Sequence, residues 1–151
     1  MKRFLNASCA VLLCACFATP TPEPTSTPRI PFIITAEDNP FAPKPEDRGR
    51  QRAGAVLTSI SLVEQTDLAP VRVALNISGS LPSVCNELRV EVAVPDDEYQ
   101  IFVEVYSLVN RTVDCENVFQ QFEASVLLGA YSAGRYTVWV NQGRVGDFVA
   151  D

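Results

Sequence analysis

The stretch VRVALNI, residues 71–77, alternates large apolar side chains with small or polar ones. Alternation with period two is typical of a β-strand that buries one face in a core. The same pattern recurs from residue 56 onward, in the runs 56–62, 88–94, 99–105, 122–128, 136–140 and 145–149. Seven short strands within about 100 residues predict an all-β fold, a seven-stranded antiparallel sandwich over residues 53–151.

Turn-forming residues separate these runs. Pro95–Glu98 predicts a tight polar link between two strands, and Gly79 with Pro82 interrupts the chain after the second run. The sequence Asn-Gln-Gly at 141–143 predicts a three-residue hairpin loop, with Gly143 in the left-handed conformation. The loops are therefore consistent with antiparallel strands joined by short connections.

A motif at the sixth run resembles a known family. SAGRYTV, residues 132–138, is similar to the tyrosine corner of immunoglobulin-like domains, in which a Tyr early in the sixth strand bonds back to the preceding loop. The resemblance implies an immunoglobulin-like sandwich in which Tyr136 makes that bond. No Cys follows two residues after Tyr136, so the intersheet disulfide of antibody domains is not expected. Many small domains of this kind on bacterial lipoproteins have no assigned activity, and fold alone implies none here.

The N-terminus has the pattern of an export signal. The basic residues Lys2 and Arg3 precede an apolar run, Phe4–Ala15, of about a dozen residues. A bilayer-spanning helix needs roughly 20 apolar residues, whereas a signal peptide needs a shorter apolar core. We therefore expect the protein to be exported from the cytoplasm.

The end of this run resembles the lipobox of bacterial lipoproteins. LCAC, residues 13–16, has Leu three residues before a cysteine and a small residue directly before it. The resemblance implies a signal peptide of residues 1–15, a lipid on Cys16, and a protein anchored to a membrane on its extracytoplasmic side. Secretion with cleavage after Ala18 is the alternative.

The remaining cysteines then form an even pair. Cys9 and Cys14 leave with the signal peptide and Cys16 carries the lipid, which leaves Cys85 and Cys115. In an oxidising compartment such a pair predicts a disulfide, with two free buried thiols as the alternative.

Residues 16–52 read as a disordered, Pro-rich tether. Thr19–Pro28 has four prolines in ten residues, which favours an extended polyproline II spacer of roughly 30 Å. Ile30–Ile34 is an apolar island that either docks on the domain or a partner, or stays solvated. A basic cluster near the end of the tether suits lipid headgroups, a solvated linker, or counter-charges for the acidic domain: Arg48, Arg50 and Arg52.

Composition excludes several classes of function. The chain has no His, so Ser-His and Cys-His nucleophile pairs and His-ligated zinc sites are impossible. The net charge is −6, and from residue 53 onward five Arg and no Lys face thirteen Asp plus Glu. Such an acidic domain repels phosphate backbones, which argues against nucleic acid as a partner.

Candidate chemistry is confined to carboxylates and aromatic residues. Glu91 and Glu104 are a remote candidate pair for a carboxylate-based hydrolase, although surface glutamates on strands are far commoner. The acidic turn at Asp96, Asp97 and Glu98 is a weak calcium candidate, because it lacks the spacing and the Gly of known calcium loops. We predict no cofactor and no metal site.

Three aromatic residues are out of phase with the buried sets of their strands: Phe102, Tyr106 and Trp139. If that phase points outward, they line one sheet face, and aromatic patches mark protein or sugar contacts. The alternative is that the tether covers this face or that it packs at a sandwich edge. The sequence thus predicts a non-catalytic surface lipoprotein that binds an unknown protein or glycan partner, or acts as a scaffold. A protease-inhibitor-like module acting through residues 109–118, pinned at Cys115, is the second hypothesis.

Overall fold

The computed structural model describes residues 37–68, 72–110, 112 and 114–150. The predicted signal peptide, Cys16 and the tether up to residue 36 lie outside this part of the chain. After a short 3-10 helix, Pro45–Asp47, the described part contains eight strands: β1 Gln51–Gly54, β2 Val56–Gln65, β3 Arg72–Leu81, β4 Glu87–Val92, β5 Gln100–Val109, β6 Gln120–Leu127, β7 Gly134–Val140 and β8 Gly143–Ala150. Among the described residues, no helix is long and apolar enough to cross a membrane.

The strands form two sheets that pack face to face. One has three strands in the order β2-β3-β6, and the other contains β4, β5, β7, β8 and β1. The large residues of the alternating runs fill the space between them, because period two places them all on one face of each strand. The most deeply buried are Leu75, Ile77, Val90, Ile101, Val103, Val126, Leu128 and Val138. The prediction of an all-β sandwich is confirmed.

Two details of the predicted sandwich are wrong. The structure has eight strands rather than seven, because Gln51–Gly54 also pairs with β5 although its sequence does not alternate. The sandwich is also not wholly antiparallel, since β5 and β7 run parallel, with Gln100 opposite Thr137 and Val103 opposite Val140. The chain between them crosses to the other sheet as β6 and returns, and a parallel pair requires such a crossover.

One edge of β5 is shared by two strands. β7 pairs with residues 100–103 of β5 and β1 pairs with residues 106–109. Asn141 lies between them, and its side-chain amide takes the place of a strand residue: its oxygen accepts from Val105 N at 2.8 Å and its nitrogen donates to Val105 O at 2.9 Å. The backbone N–H of Asn141 donates to Val103 O at 3.0 Å. The ladder along β5 is therefore continuous.

The β7–β8 hairpin has a tighter turn than predicted. Asn141 and Gln142 have φ values of +46° and +71°, and Gly143 pairs with Val140 as the first residue of β8. Two central residues with positive φ define a two-residue turn of type I′, whose twist matches that of the strands. The left-handed position is thus occupied by Asn141 and Gln142, and the prediction for Gly143 is wrong.

Residues 37–50, here called the N-terminal strap, pack against the sandwich. Asn39, only 2 % exposed, donates from Nδ2 to Val90 O at 2.8 Å, and Phe41 O accepts from Val90 N at 2.8 Å. Asp38 O accepts from Leu127 N at 2.9 Å, so the strap joins the edges of β6 and β4 and closes one side of the sandwich. The folded domain therefore begins well before residue 53, inside the segment predicted as tether.

The hydrogen bond expected of a tyrosine corner is present. Tyr136 lies early in β7, and its hydroxyl donates to Ser132 O at 2.9 Å. Its ring stacks on Phe148 and packs against Tyr131, with centroid distances of 5.4 and 4.9 Å. This aromatic cluster fixes the loop before β7 and closes that end of the core.

Candidate functional site

The outer face of the five-stranded sheet carries an exposed aromatic pair. Phe102 on β5 and Trp139 on β7 are register partners of the parallel pair, so both side chains leave the sheet on the same side. Their rings stack with a centroid distance of 6.4 Å and an interplanar angle of 24°. Phe102 is 42 % exposed, whereas Trp139 is half-buried. We call these two residues the aromatic patch.

The indole N–H of Trp139 does not open onto solvent. Its Nε1 is buried and has no hydrogen-bond partner among the described residues. A molecule that binds the aromatic patch would therefore contact ring surface and would not reach this donor. Such a contact is apolar in character and depends on shape and area.

Tyr106, the third predicted aromatic residue, is on the same face but outside the patch. Arg52, from β1, lies 3.5 Å above the centroid of its ring, in a cation–π arrangement, and also forms an ion pair with Glu104. Burial raises the pKa of the Tyr106 hydroxyl. Because Glu104 stands between Tyr106 and Phe102 along β5, the open patch consists of two aromatic residues rather than three.

An ionic cluster covers the part of this face next to the strap. Arg89, whose side chain is only 5 % exposed, donates to both carboxylate oxygens of Asp47, at 2.7 and 2.6 Å, and to Glu87 at 3.0 Å. Arg50 reaches Glu87 at 2.9 Å. The hydrogen bonds from Arg89 are the main cause that lowers the pKa of Asp47 to about 2. Arg50 and Arg52 thus act as counter-charges within the domain, which was one of the three roles considered for the basic cluster.

The predicted carboxylates lie on open surface. Glu91 and Glu104 are register partners of β4 and β5 and both are exposed, and Glu104 is paired with Arg52. In the acidic turn, one carboxylate oxygen of Asp96 accepts hydrogen bonds from Glu98 N and Gln100 N at 3.0 and 2.8 Å. These bonds account for the presence of an Asp in this turn, and no bound ion is needed to explain it. Within the described ranges, no three His, Cys, Asp or Glu residues are grouped closely enough to hold a metal ion.

The predicted disulfide is present. Cys85 and Cys115 are bonded, with their Cα atoms 6.1 Å apart and a separation of 30 positions in the sequence. The loop on the Cys85 side is fixed further by Asn86, which accepts from Ser83 Oγ at 2.6 Å and donates to Ser107 Oγ at 2.9 Å. The bond therefore ties the β3–β4 loop to the loop that precedes β6.

Three exposed apolar side chains that show no alternating pattern lie within four residues of the two cysteines in the sequence. Val84, Val118 and Phe119 are 53, 53 and 67 % exposed. All three lie in loops, where no alternation marks them, and only their closeness to the two cysteines in the sequence could have indicated them. Within residues 109–118, Arg111 and Val113 lie outside the described part of the chain.

A family model described as the ORF11 beta-sandwich domain matches residues 75–150, half of the chain. The chain belongs to this family. Neither the curated proteins nor the solved structures include a significant match. The ORF11 match begins within β3 and ends with β8, so it includes the aromatic patch, Tyr106 and the disulfide.

The strap and the first two strands precede the ORF11 match. Asp47, Arg50 and Arg52 therefore contact the family-matched strands from outside the matched range. In this chain they cover one half of the outer sheet face and leave the half with the aromatic patch open. The arrangement leaves the stacked aromatic pair exposed on that face, together with Val149 of β8, which is 50 % exposed.

Proposed function

We propose that the protein is a non-catalytic, lipid-anchored envelope protein whose ORF11 sandwich binds a partner through the aromatic patch. The observation that carries the proposal is the stacked pair Phe102–Trp139, exposed on the outer face of a sheet whose neighbouring half is covered by the strap. Exposed aromatic residues that stack on each other form a rigid apolar surface, and such surfaces are enriched at binding sites.

The N-terminal sequence supports the membrane anchor. The basic start, the apolar run and the lipobox-like LCAC ending at Cys16 agree with export and lipidation. One acyl chain holds a protein only marginally at a membrane, whereas two chains hold it stably. The Pro-rich Thr19–Pro28 segment would then hold the sandwich away from the bilayer, where a partner could reach its outer face.

The surface chemistry supports binding over catalysis. General acid–base work needs a carboxylate in an enclosed site that shifts its pKa, whereas Glu91 and Glu104 are exposed on an open sheet. The tightest carboxylate cluster, Asp47 with Arg89, is occupied in holding the strap.

Cross-linking in the native envelope tests the binding role. A photo-crosslinking amino acid at position 102 of the full chain is compared with the same amino acid at position 121, an exposed site on the outer side of the opposite sheet. We expect a discrete cross-linked product from position 102 alone, lost when Trp139→Ala is added. Products from both positions, or from neither, would contradict the role of the aromatic patch.

Fatty-acid labelling tests the anchor separately. Cells that express the full chain are fed an alkyne-tagged fatty acid, and we expect label and membrane association in the wild type and neither in Cys16→Ser. Label retained by the Cys16→Ser variant would show that a residue other than Cys16 carries the lipid and would refute the proposed anchor.

The disulfide end supports a second candidate, the inhibitor-like module. Cys115 anchors the loop before β6, and the exposed Val118 and Phe119 lie three and four residues after it. A loop held in its bound shape loses less entropy on binding. If this loop is the binding element, Phe119→Ala and reduction of the disulfide should each abolish partner binding, while Trp139→Ala leaves it intact.

A further inference from the structure

Strand β2 has an edge without a partner strand among the described residues. It lies at the end of the order β2-β3-β6 and is ten residues long. Its free edge presents a row of backbone N–H and C=O groups, and such a row is a template for pairing with another strand. Folded proteins usually protect such edges with charges, prolines or a covering segment.

At the edge strands β4, β6 and β8 this protection is present, whereas in β2 it is confined to the bulge after Leu57 and to Glu64 near the end of the strand. The strap covers β4 through Asn39 and Phe41, β6 carries Glu123 and contacts Asp38, and β8 carries Arg144 and Asp147. In β2, residues 56–63 read VLTSISLV, with no charge and no proline. A bulge follows Leu57, but from Ser59 to Gln65 the pairing of β2 with β3 is regular. The regular part therefore offers a straight, uncharged edge.

We propose that β2 pairs antiparallel with β2 of a second copy of this chain, about a two-fold axis at Ser61. This register places Ile60 of each copy opposite Leu62 of the other, on the side that faces the core. Both residues are half-buried at this edge of the sandwich, and pairing covers their remaining exposed surface. On the outer side, Val63, which is 42 % exposed, comes to lie opposite Ser59.

Charge does not oppose a second copy at this edge. The domain is acidic, so two copies repel each other in general, but residues 56–63 of the β2 edge contain no acidic residue. The nearest acid is Glu64, three residues from the axis. In the antiparallel register the two Glu64 residues are six positions apart, roughly 20 Å, well beyond the Debye length of about 8 Å at physiological salt. The repulsion at this contact is therefore screened.

The outer surface of the three-stranded sheet would become continuous across the pair. In each copy Ser59, Ser61, Asn76, Ser125 and the carboxylate of Glu123 line one shallow depression, and Ser125 Oγ donates to Asn76 at 2.7 Å. The pair would join these two polar surfaces into one six-stranded sheet. The pairing is independent of the aromatic patch, which lies on the opposite face of the sandwich.

A cysteine at the axis tests the register. Directly opposed residues of an antiparallel pair have Cα atoms about 4.5–5.5 Å apart, which is within the range of disulfides. Membranes of cells that express the full chain with Ser61→Cys are oxidised and run on a non-reducing gel. Gln121→Cys, equally exposed on β6, and the wild type serve as controls. We expect a dimer from Ser61→Cys alone, and its absence would overturn the register.

Sedimentation of the full chain in density-matched detergent tests the pairing itself. We expect a dimer for the wild type and for Gln121→Lys. For Ser61→Lys we expect a dimer dissociation constant about tenfold higher or more, because two like charges would face each other across the axis. A wild type that sediments as a monomer at about 100 μM, or a Ser61→Lys variant that stays dimeric, would overturn the proposal. Ser61 is exposed, so Lys there disturbs no core contact.

Discussion

Asn141 should contribute more to stability than an exposed turn residue normally does. Asn141→Ala removes two hydrogen bonds to Val105, a residue that is 2 % exposed. Each such bond contributes about 1 kcal/mol net. A further cost of about 1 kcal/mol arises because Ala tolerates the φ of +46° less well than Asn does. We therefore expect a loss of about 2–3 kcal/mol in the free energy of unfolding, or about 10–20 °C in Tm.

Urea unfolding followed by the fluorescence of Trp139, the only Trp of the chain, measures this loss. The matched control is Gln142→Ala, at the other left-handed position of the same turn, where the side chain is exposed and replacement should change stability by less than about 0.5 kcal/mol. Asn141→Asp should also destabilise the protein, because a carboxylate accepts from Val105 N but cannot donate to Val105 O. If Asn141→Ala and Gln142→Ala unfold at the same urea concentration, the side chain does not replace a strand residue in solution.

Three further outcomes follow from the same structure. Gly79→Ala should prevent folding or destabilise the protein by several kcal/mol, because the added Cβ would lie 2.0 Å from a backbone oxygen of β2. Gly54→Ala, with open space around its Cβ, should be tolerated and serves as the control. Circular dichroism and urea unfolding compare the two variants. The lowered pKa of Asp47 stabilises the fold above the unfolded pKa of 3.8, and this contribution should disappear as the pH falls toward about 2. The free energy of unfolding of Asp47→Asn should therefore fall less as the pH is lowered than that of the wild type, as measured by acid unfolding. An unchanged dependence on pH would contradict the role of Arg89. Reduction of Cys85–Cys115, which closes a 30-residue loop, should cost about 3–4 kcal/mol without changing the far-ultraviolet spectrum, and a loss of strand signal would show that the fold needs the bond.

The predicted strands were those whose own side chains separate inside from outside. Over residues 73–77 of β3 and 101–105 of β5 every second residue is large and apolar, so the core face is visible before any partner is known. β1 shows no such signal, because Gln51–Gly54 forms a strand only through its pairing with β5. The parallel pairing of β5 with β7 was equally hidden, since alternation gives the face of a strand but not its neighbour or direction.

The candidate site divides in the same way. Alternation was sufficient to place Phe102 and Trp139 on the outer face of their strands, but not to show that they are register partners whose rings stack. Arg52 covers Tyr106 from a strand that the sequence did not reveal, so alternation alone could not show that Tyr106 is covered while Phe102 stays exposed. Val84, Val118 and Phe119 are in loops, where exposure depends on the path of the backbone.

The sequence by itself determined the fold class, the face that each long strand buries and the choice of Cys85 and Cys115 as a pair. These follow from local periodicity and from a small set of reactive side chains. Only the tertiary structure decided the order of the strands, the start of the domain at the strap and the part of the outer face that stays open. Those depend on contacts between residues far apart in the chain, such as Asp47 with Arg89 and Asn141 with Val105, whose partners no local pattern specifies.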